Sequence, residues 1–237
     1  MAEVPARADD ARPLGPGVFP GPPDVCEELS GIALLAALEQ RFVEGLVPPR
    51  EPQAIIHPNG FVKLPLAQTG DGATRFFLHV WHADSMDADV HDHRWAFSSL
   101  VLRGEVSHTL TDVTVTSGGA GRKRDDEGVE RAFPVARYRL VGGRHCFDMS
   151  RGETAVVDRR NTHVLSAGRN YGMEAFVFHR AHALAGAMTL VARGAPQRQY
   201  SRVLSDGETP LPAMKPWRCL DHDERRQHLR DALAVLR

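Results

Sequence analysis

Between residues 53 and 180 the chain is cut into short apolar or alternating runs: AIIHPNGFVKLPL, RFFLHVWHA, WAFSSLVLRGEVSHTLTDV, ARYRLVGGRHCFDM, TAVVDRR, HVLSAG and MEAFVFHR. Gly, Asn and Asp separate them. Seven or more short strands punctuated in this way predict a closed or nearly closed all-β barrel rather than a parallel α/β sheet. The polar, glycine-rich stretch TSGGAGRKRDDEGVE (116–130) is expected to form an exposed hairpin loop between two of the strands.

The flanks read differently. Residues 1–24 are rich in Pro and Gly and bury little, so they are expected to form a disordered tail. Over 25–50, Leu29, Ile32, Leu35, Leu38, Phe42 and Val43 recur at helical spacing until Pro48 and Pro49 stop the helix. The barrel is assigned to 51–195. A C-terminal extension, 196–237, carries a second helix with Asp221 near its N-cap and Leu229, Leu233 and Leu236 on one face.

The chain of 237 residues balances 29 Lys plus Arg against 30 Asp plus Glu, a net charge of -1 that gives nucleic acid or an anionic membrane no electrostatic hold. A small-molecule ligand is expected instead, and a homodimer is left open. Cys26, Cys146 and Cys219 are widely spaced and form no CxxC pair, which suits reduced thiols in a cytoplasmic protein. Neither a signal-peptide core nor a membrane-spanning stretch is apparent.

Twelve histidines are present, and His57, His145, His222 and His228 read as ordinary surface or core residues. The informative group is Val90-His91-Asp92-His93-Arg94-Trp95. On an extended chain His91 and His93 point the same way, with Cα atoms roughly 6.6 Å apart, so both imidazoles can reach one ion through bonds of about 2.1 Å. Trp95, Phe97 and Ser99 share that parity and extend the face into an apolar pocket.

This segment resembles the first cupin motif, G(X)5HXH(X)3,4E(X)6G, with His91, His93 and Gly104 in register, Ser85 at the first glycine and Phe97 at the glutamate. The second motif, G(X)5PXG(X)2H(X)3N, is matched through Gly152 and His163, with Asp158, Arg160 and Ala167 at its Pro, inner Gly and Asn. The resemblance implies a cupin barrel (double-stranded β-helix, or jelly roll) that binds one metal through His91, His93 and His163. Over residues 59–110, NGFVKLPLA and RFFLHVWHADSMDADVHDHRWAFSSLVLRGEVSHTL are similar to cysteine dioxygenase and related thiol dioxygenases, which also lack the cupin glutamate. That likeness implies Lys63 as the basic residue that pairs with a substrate carboxylate. Ser98 stands where some members carry a crosslinked cysteine, and AFVFHR replaces the Ser-x-His-x-Tyr network.

Three neutral imidazoles without a carboxylate leave a divalent ion its charge and open positions, a donor set that favours Fe(II) with a chelating substrate and dioxygen; Zn(II), Ni(II), Mn(II) and Cu(II) also accept imidazole. The leading expectation is a non-haem iron dioxygenase acting on a small carboxylated molecule. A non-oxidative isomerase, lyase or hydrolase, or a ligand-sensing barrel without catalysis, remain alternatives. By position, His108, His179 and Tyr138 are candidate catalytic residues, and Lys63, Arg75, Trp95, Phe97 and Ser98 candidate substrate contacts.

Overall fold

The structure, a computed structural model, describes residues 18–19, 36, 39, 53–57, 59–82, 85–86, 89–117, 132–141, 144–205 and 218–237. Its strands in chain order are β1 (Val18–Phe19), β2 (Ile55–Ile56), β3 (Phe61–Gln68), β4 (Arg75–Trp81), β5 (Ser85–Met86), β6 (Phe97–Arg103), β7 (Glu105–Ser117) and β8 (Ala132–Val141). They continue with β9 (Arg144–Asp148), β10 (Glu153–Ser166), β11 (Asn170–Met173), β12 (Phe178–Ala183), β13 (Met188–Arg193), β14 (Ser201–Leu204) and β15 (Arg218–Cys219), and helix α1 (His222–Leu236) follows.

Two antiparallel sheets face each other. One runs β1-β11-β6-β13-β4-β3-β2-β15 and the other β14-β8-β10-β7-β12-β5, with β9 hydrogen-bonded to β8. The chain passes from sheet to sheet at the tight connections β6 to β7, β10 to β11 and β12 to β13. That is the double-stranded β-helix of the cupin barrel, as expected. Gly104 makes the first of these turns with φ at 73°, and a Cβ there would lie 3.1 Å from Ala187 in the neighbouring β12–β13 turn. Only glycine meets both demands.

Alternation along β3 divides its residues between two environments. Val62, Leu64 and Leu66 pack with Leu78 and Leu190 beneath Leu229, Ala232 and Leu233 of α1, so Phe61 and Lys63 face the barrel interior. The expected α1 forms as read. Asp221 accepts from Glu224 N at 2.8 Å while the Glu224 carboxylate accepts from Asp221 N at 3.0 Å, a complete capping box.

Several expectations fall at the edges of what is described. Val18 and Phe19, read as tail, pair with Met173 and Gly172 of β11, and the rest of 1–24 lies outside the described residues. So do residues 118–131, which hold most of the expected loop. Of the expected N-terminal helix only Ala36 and Glu39 are described, both helical. The sheets also extend past residue 195, because β14 pairs with β8 and β15 with β2. No helix among the described residues is long and apolar enough to cross a membrane.

Leu229 is 2% exposed and lies where α1 meets the first sheet. Leu229→Ala is expected to lower unfolding free energy by about 2–5 kcal/mol, from lost burial plus the cavity left behind; urea denaturation followed by circular dichroism measures it.

Candidate metal centre

The site begins with a short antiparallel bridge. His91 N donates to His179 O at 2.9 Å, and His179 N donates to His91 O at 2.8 Å. This mutual pair sets the two histidines side by side. His93 is fixed from the same segment, because its carbonyl accepts from Phe176 N at 2.8 Å. As a result His91, His93 and His179 converge, with one ring nitrogen of each lying within 4.8 Å of the others. His93 Nε2 and His179 Nε2 are 3.2 Å apart. Two nitrogens bound to one ion at about 2.1 Å would stand roughly 3.0–3.4 Å apart in octahedral or tetrahedral geometry, so the spacing fits adjacent ligands.

The protonation states also fit. Burial, then the neighbouring His91, holds both His93 and His179 well below the usual imidazole range, so they are neutral near pH 7. His91 Nδ1 lies 3.1 Å from Asp89 O. A carbonyl can only accept, so Nδ1 carries the proton in that contact, the orienting bond typical of a metal-ligating histidine.

Asp92, between the two site histidines in sequence, points the opposite way and is fully buried. Its Oδ1 accepts from Arg198 Nη2 at 2.5 Å and from Arg202 N at 2.6 Å, and its Oδ2 accepts from Arg202 Nε at 2.8 Å. Asp92 N in turn donates to Arg202 O at 2.9 Å. The His91–His93 segment is thereby bolted to β14.

The third imidazole in the cluster is His179 rather than His163. His163 is the cross-strand partner of His108, on the far side of β7 from β12. At about 4.8 Å per strand, β10 and β12 stand roughly 9–10 Å apart, and His163 is not among the residues whose ring nitrogens converge. A signal for His179 is present in the sequence: Gly168 and His179 are also eleven apart, with Glu174, Phe176 and Ala183 at the motif's Pro, inner Gly and Asn. Phe176 takes the conformation a glycine would, with φ at 74°, the only described non-glycine residue in the left-handed region.

A cavity of about 120 Å³ opens beside the three histidines. Trp95 and Phe97 wall it near His93, at ring distances of 5.7 and 5.4 Å. His108, 4% exposed, stacks against His179 at 5.4 Å; burial, then His91 and His163, pushes its pKa down to about 3. Neither ring nitrogen of His108 has a hydrogen-bond partner among the described residues. Tyr171 lies 4.7 Å from the His108 ring and went unnoticed in the sequence. A second aromatic group of His57, Phe61, His79 and Trp81 completes the wall, so His57 is not an ordinary surface or core residue. Lys63 also lines the cavity; burial first, then Arg193 and Arg75, lowers its pKa to about 7.

Three other expected residues lie elsewhere. Tyr138 is on β8 against Phe147, Arg75 begins β4 in an exposed position, and Ser98 alternates away from Phe97; none lines the cavity. Parity excludes Ser98 once Phe97 faces inward, whereas for Tyr138 and Arg75 it says which residues share a face and not what that face meets.

No protein-family model matches the chain, and no curated protein matches it. Among solved structures, it overlaps an iron(II) form of HppE at 14% identity and a TM-score of 0.36, over 63% of this chain and 59% of that one. It overlaps oxalate oxidase in complex with the substrate analogue glycolate at 10% identity and a TM-score of 0.35, over 68% and 62%. An RmlC-like cupin from Shewanella frigidimarina gives 16% and 0.33, over 65% and 91%. The chain thus spans about three fifths of the first two proteins. Likenesses this distant assign no activity, and the cupin architecture rests on the strand topology above.

Asp92→Ala would leave Arg198 and Arg202 without their buried counter-charge. The expected cost is about 3–5 kcal/mol of stability, as for breaking other buried pairs, read from the urea midpoint.

Proposed function

We propose that the protein is a metal-dependent cupin oxygenase, a non-haem Fe(II) dioxygenase acting on a small carboxylated molecule. The observation that carries this reading is the convergence of three imidazoles, with two Nε2 atoms 3.2 Å apart, on a cavity. The donor set fits a divalent ion: it is nitrogen-only, contains no carboxylate, and burial keeps His93 and His179 neutral. His91, His93 and His179 would hold the ion. Bound there, Fe(II) supplies the one-electron chemistry that lets dioxygen react with a closed-shell organic molecule.

The remaining work falls to the chain itself. Lys63 binds the substrate carboxylate, which provides the anion its buried ammonium lacks. His108 offers one N–H and one lone pair, neither with a partner among the described residues, and so can orient a substrate oxygen or hold a proton there. Trp95, Phe97, Phe61 and Trp81 exclude water from the reacting atoms. An engineered cavity of about 150 Å³ accommodates benzene; the 120 Å³ here suits a substrate of similar size and not a polymer.

His179→Ala is expected to remove most bound metal from protein loaded anaerobically with Fe(II), while His163→Ala keeps it. Elemental analysis of the two folded variants reads this directly. The reverse pattern would return the third-ligand role to His163.

Oxygen uptake by the Fe(II) protein should rise when a short-chain carboxylic acid that is a substrate is added. Lys63→Met should keep its iron and bind that acid more weakly by about 1.5–3 kcal/mol, the worth of one charge-assisted hydrogen bond. Iron-loaded protein that consumes no oxygen with any small carboxylate would instead place the chain among non-oxidative cupins or ligand sensors.

A further inference from the structure

Lys63 is not the only cation on the cavity wall. Arg193, the last residue of β13, lines it too, with its guanidinium carbon 4.5 Å from the Trp95 ring centroid and 5.1 Å from that of Phe77. Lys63 Nζ lies 4.1 Å from the same Phe77 ring. Among the described residues these rings are the only groups that hold either cation in place. Neither makes a hydrogen bond or ion pair there, and Arg193 Nε is buried without an acceptor. Among the described residues, no Asp or Glu lines the cavity.

This arrangement is costly in the empty protein. Two like charges are partly removed from water beside each other, and Arg75 and Arg94 add to the repulsion on Arg193. Arginine stacked on two rings is pre-set for a planar oxyanion, with little further entropy to lose on binding. The register separates the two cations. Lys63 pairs with His79 and Arg193 with Arg75, so they reach Phe77 from opposite ends of β4. Such cations suit two anionic groups held apart better than a single one.

We propose that the cavity takes a short-chain dicarboxylate, with Lys63 pairing with one carboxylate and Arg193 with the other. The proposal rests on the reading of Lys63 as a carboxylate clamp and adds a second anchor that sets specificity. Arg193 would distinguish a diacid from the monoacid of equal length, because the methyl end of a monoacid leaves the guanidinium unpaired.

Calorimetric titration of the full-length protein, metal-free and Fe(II)-loaded under nitrogen, with succinate and with butyrate tests this. Wild type is expected to bind succinate more tightly by on the order of 10-fold or more, the factor one charge-assisted hydrogen bond provides. Arg193→Gln should abolish that preference. If that variant does not fold, Arg193→Lys, which keeps the charge and loses the fork, should bind succinate several-fold less tightly than wild type; unchanged affinity would overturn the proposal. A preference for succinate that persists in folded Arg193→Gln would overturn it as well. Equal affinity of wild type for the two acids, with butyrate binding still sensitive to Lys63→Met, would remove the second anchor alone. Failure of both acids to bind would remove the Lys63 clamp with it.

Discussion

A buried carboxylate holds the centre of this molecule together. Asp92 lies between His91 and His93 and is removed from water entirely, which would be unfavourable by several kcal/mol were the charge unpaired. Two guanidinium donors and a backbone amide satisfy it. The consequence is geometric: a three-residue stretch outside the long strands cannot swing without breaking that network. Both imidazoles therefore keep a fixed direction toward β12, where His179 meets them.

The barrel surrounding this network uses its strands on both sides. On β3, Val62, Leu64 and Leu66 anchor the sheet to α1, and the alternate residues Phe61 and Lys63 are turned inward. Packing of the outer layer and composition of the inner one are thus coupled through parity. A single-residue slip of β3 would put the ammonium under the helix and Val62 or Leu64 in the cavity. The apolar contacts of Leu229 and Leu233 help to fix which residues face the cavity, although neither lines it.

Much of this could be read from the sequence before any coordinates. The punctuated short runs imply the barrel, Asp221 and the leucines imply α1, and the inward turn of Lys63 follows once Val62 is known to meet a helix. The third histidine could not be chosen the same way. Two glycine–histidine pairs have the motif's spacing, Gly152–His163 and Gly168–His179, and both lack its proline and inner glycine. What separates them is a backbone angle. Phe176 adopts the left-handed turn expected of a glycine, and its ring lies 4.5 Å from the Arg198 guanidinium, itself a partner of Asp92. Strain of this kind costs about 1–3 kcal/mol, and no residue type announces that a phenylalanine will bear it. Tyr138 and Arg75 were unreadable for a related reason: their distance from the cavity depends on which strands neighbour β8 and β4.

The wall without acids also bears on how fast a ligand arrives. The chain as a whole is almost neutral, so attraction for anions centres on the cavity, where a wall of aromatic rings, with a lower dielectric response than water, screens the field of Lys63 and Arg193 less than the surface would. At about 0.15 M salt the Debye length is near 8 Å. Capture of an anion is therefore guided only over the last stretch of its approach, and it should quicken as the salt is diluted. Phosphate and citrate are drawn by the same field, so on the proposed reading such buffers would compete at this cavity.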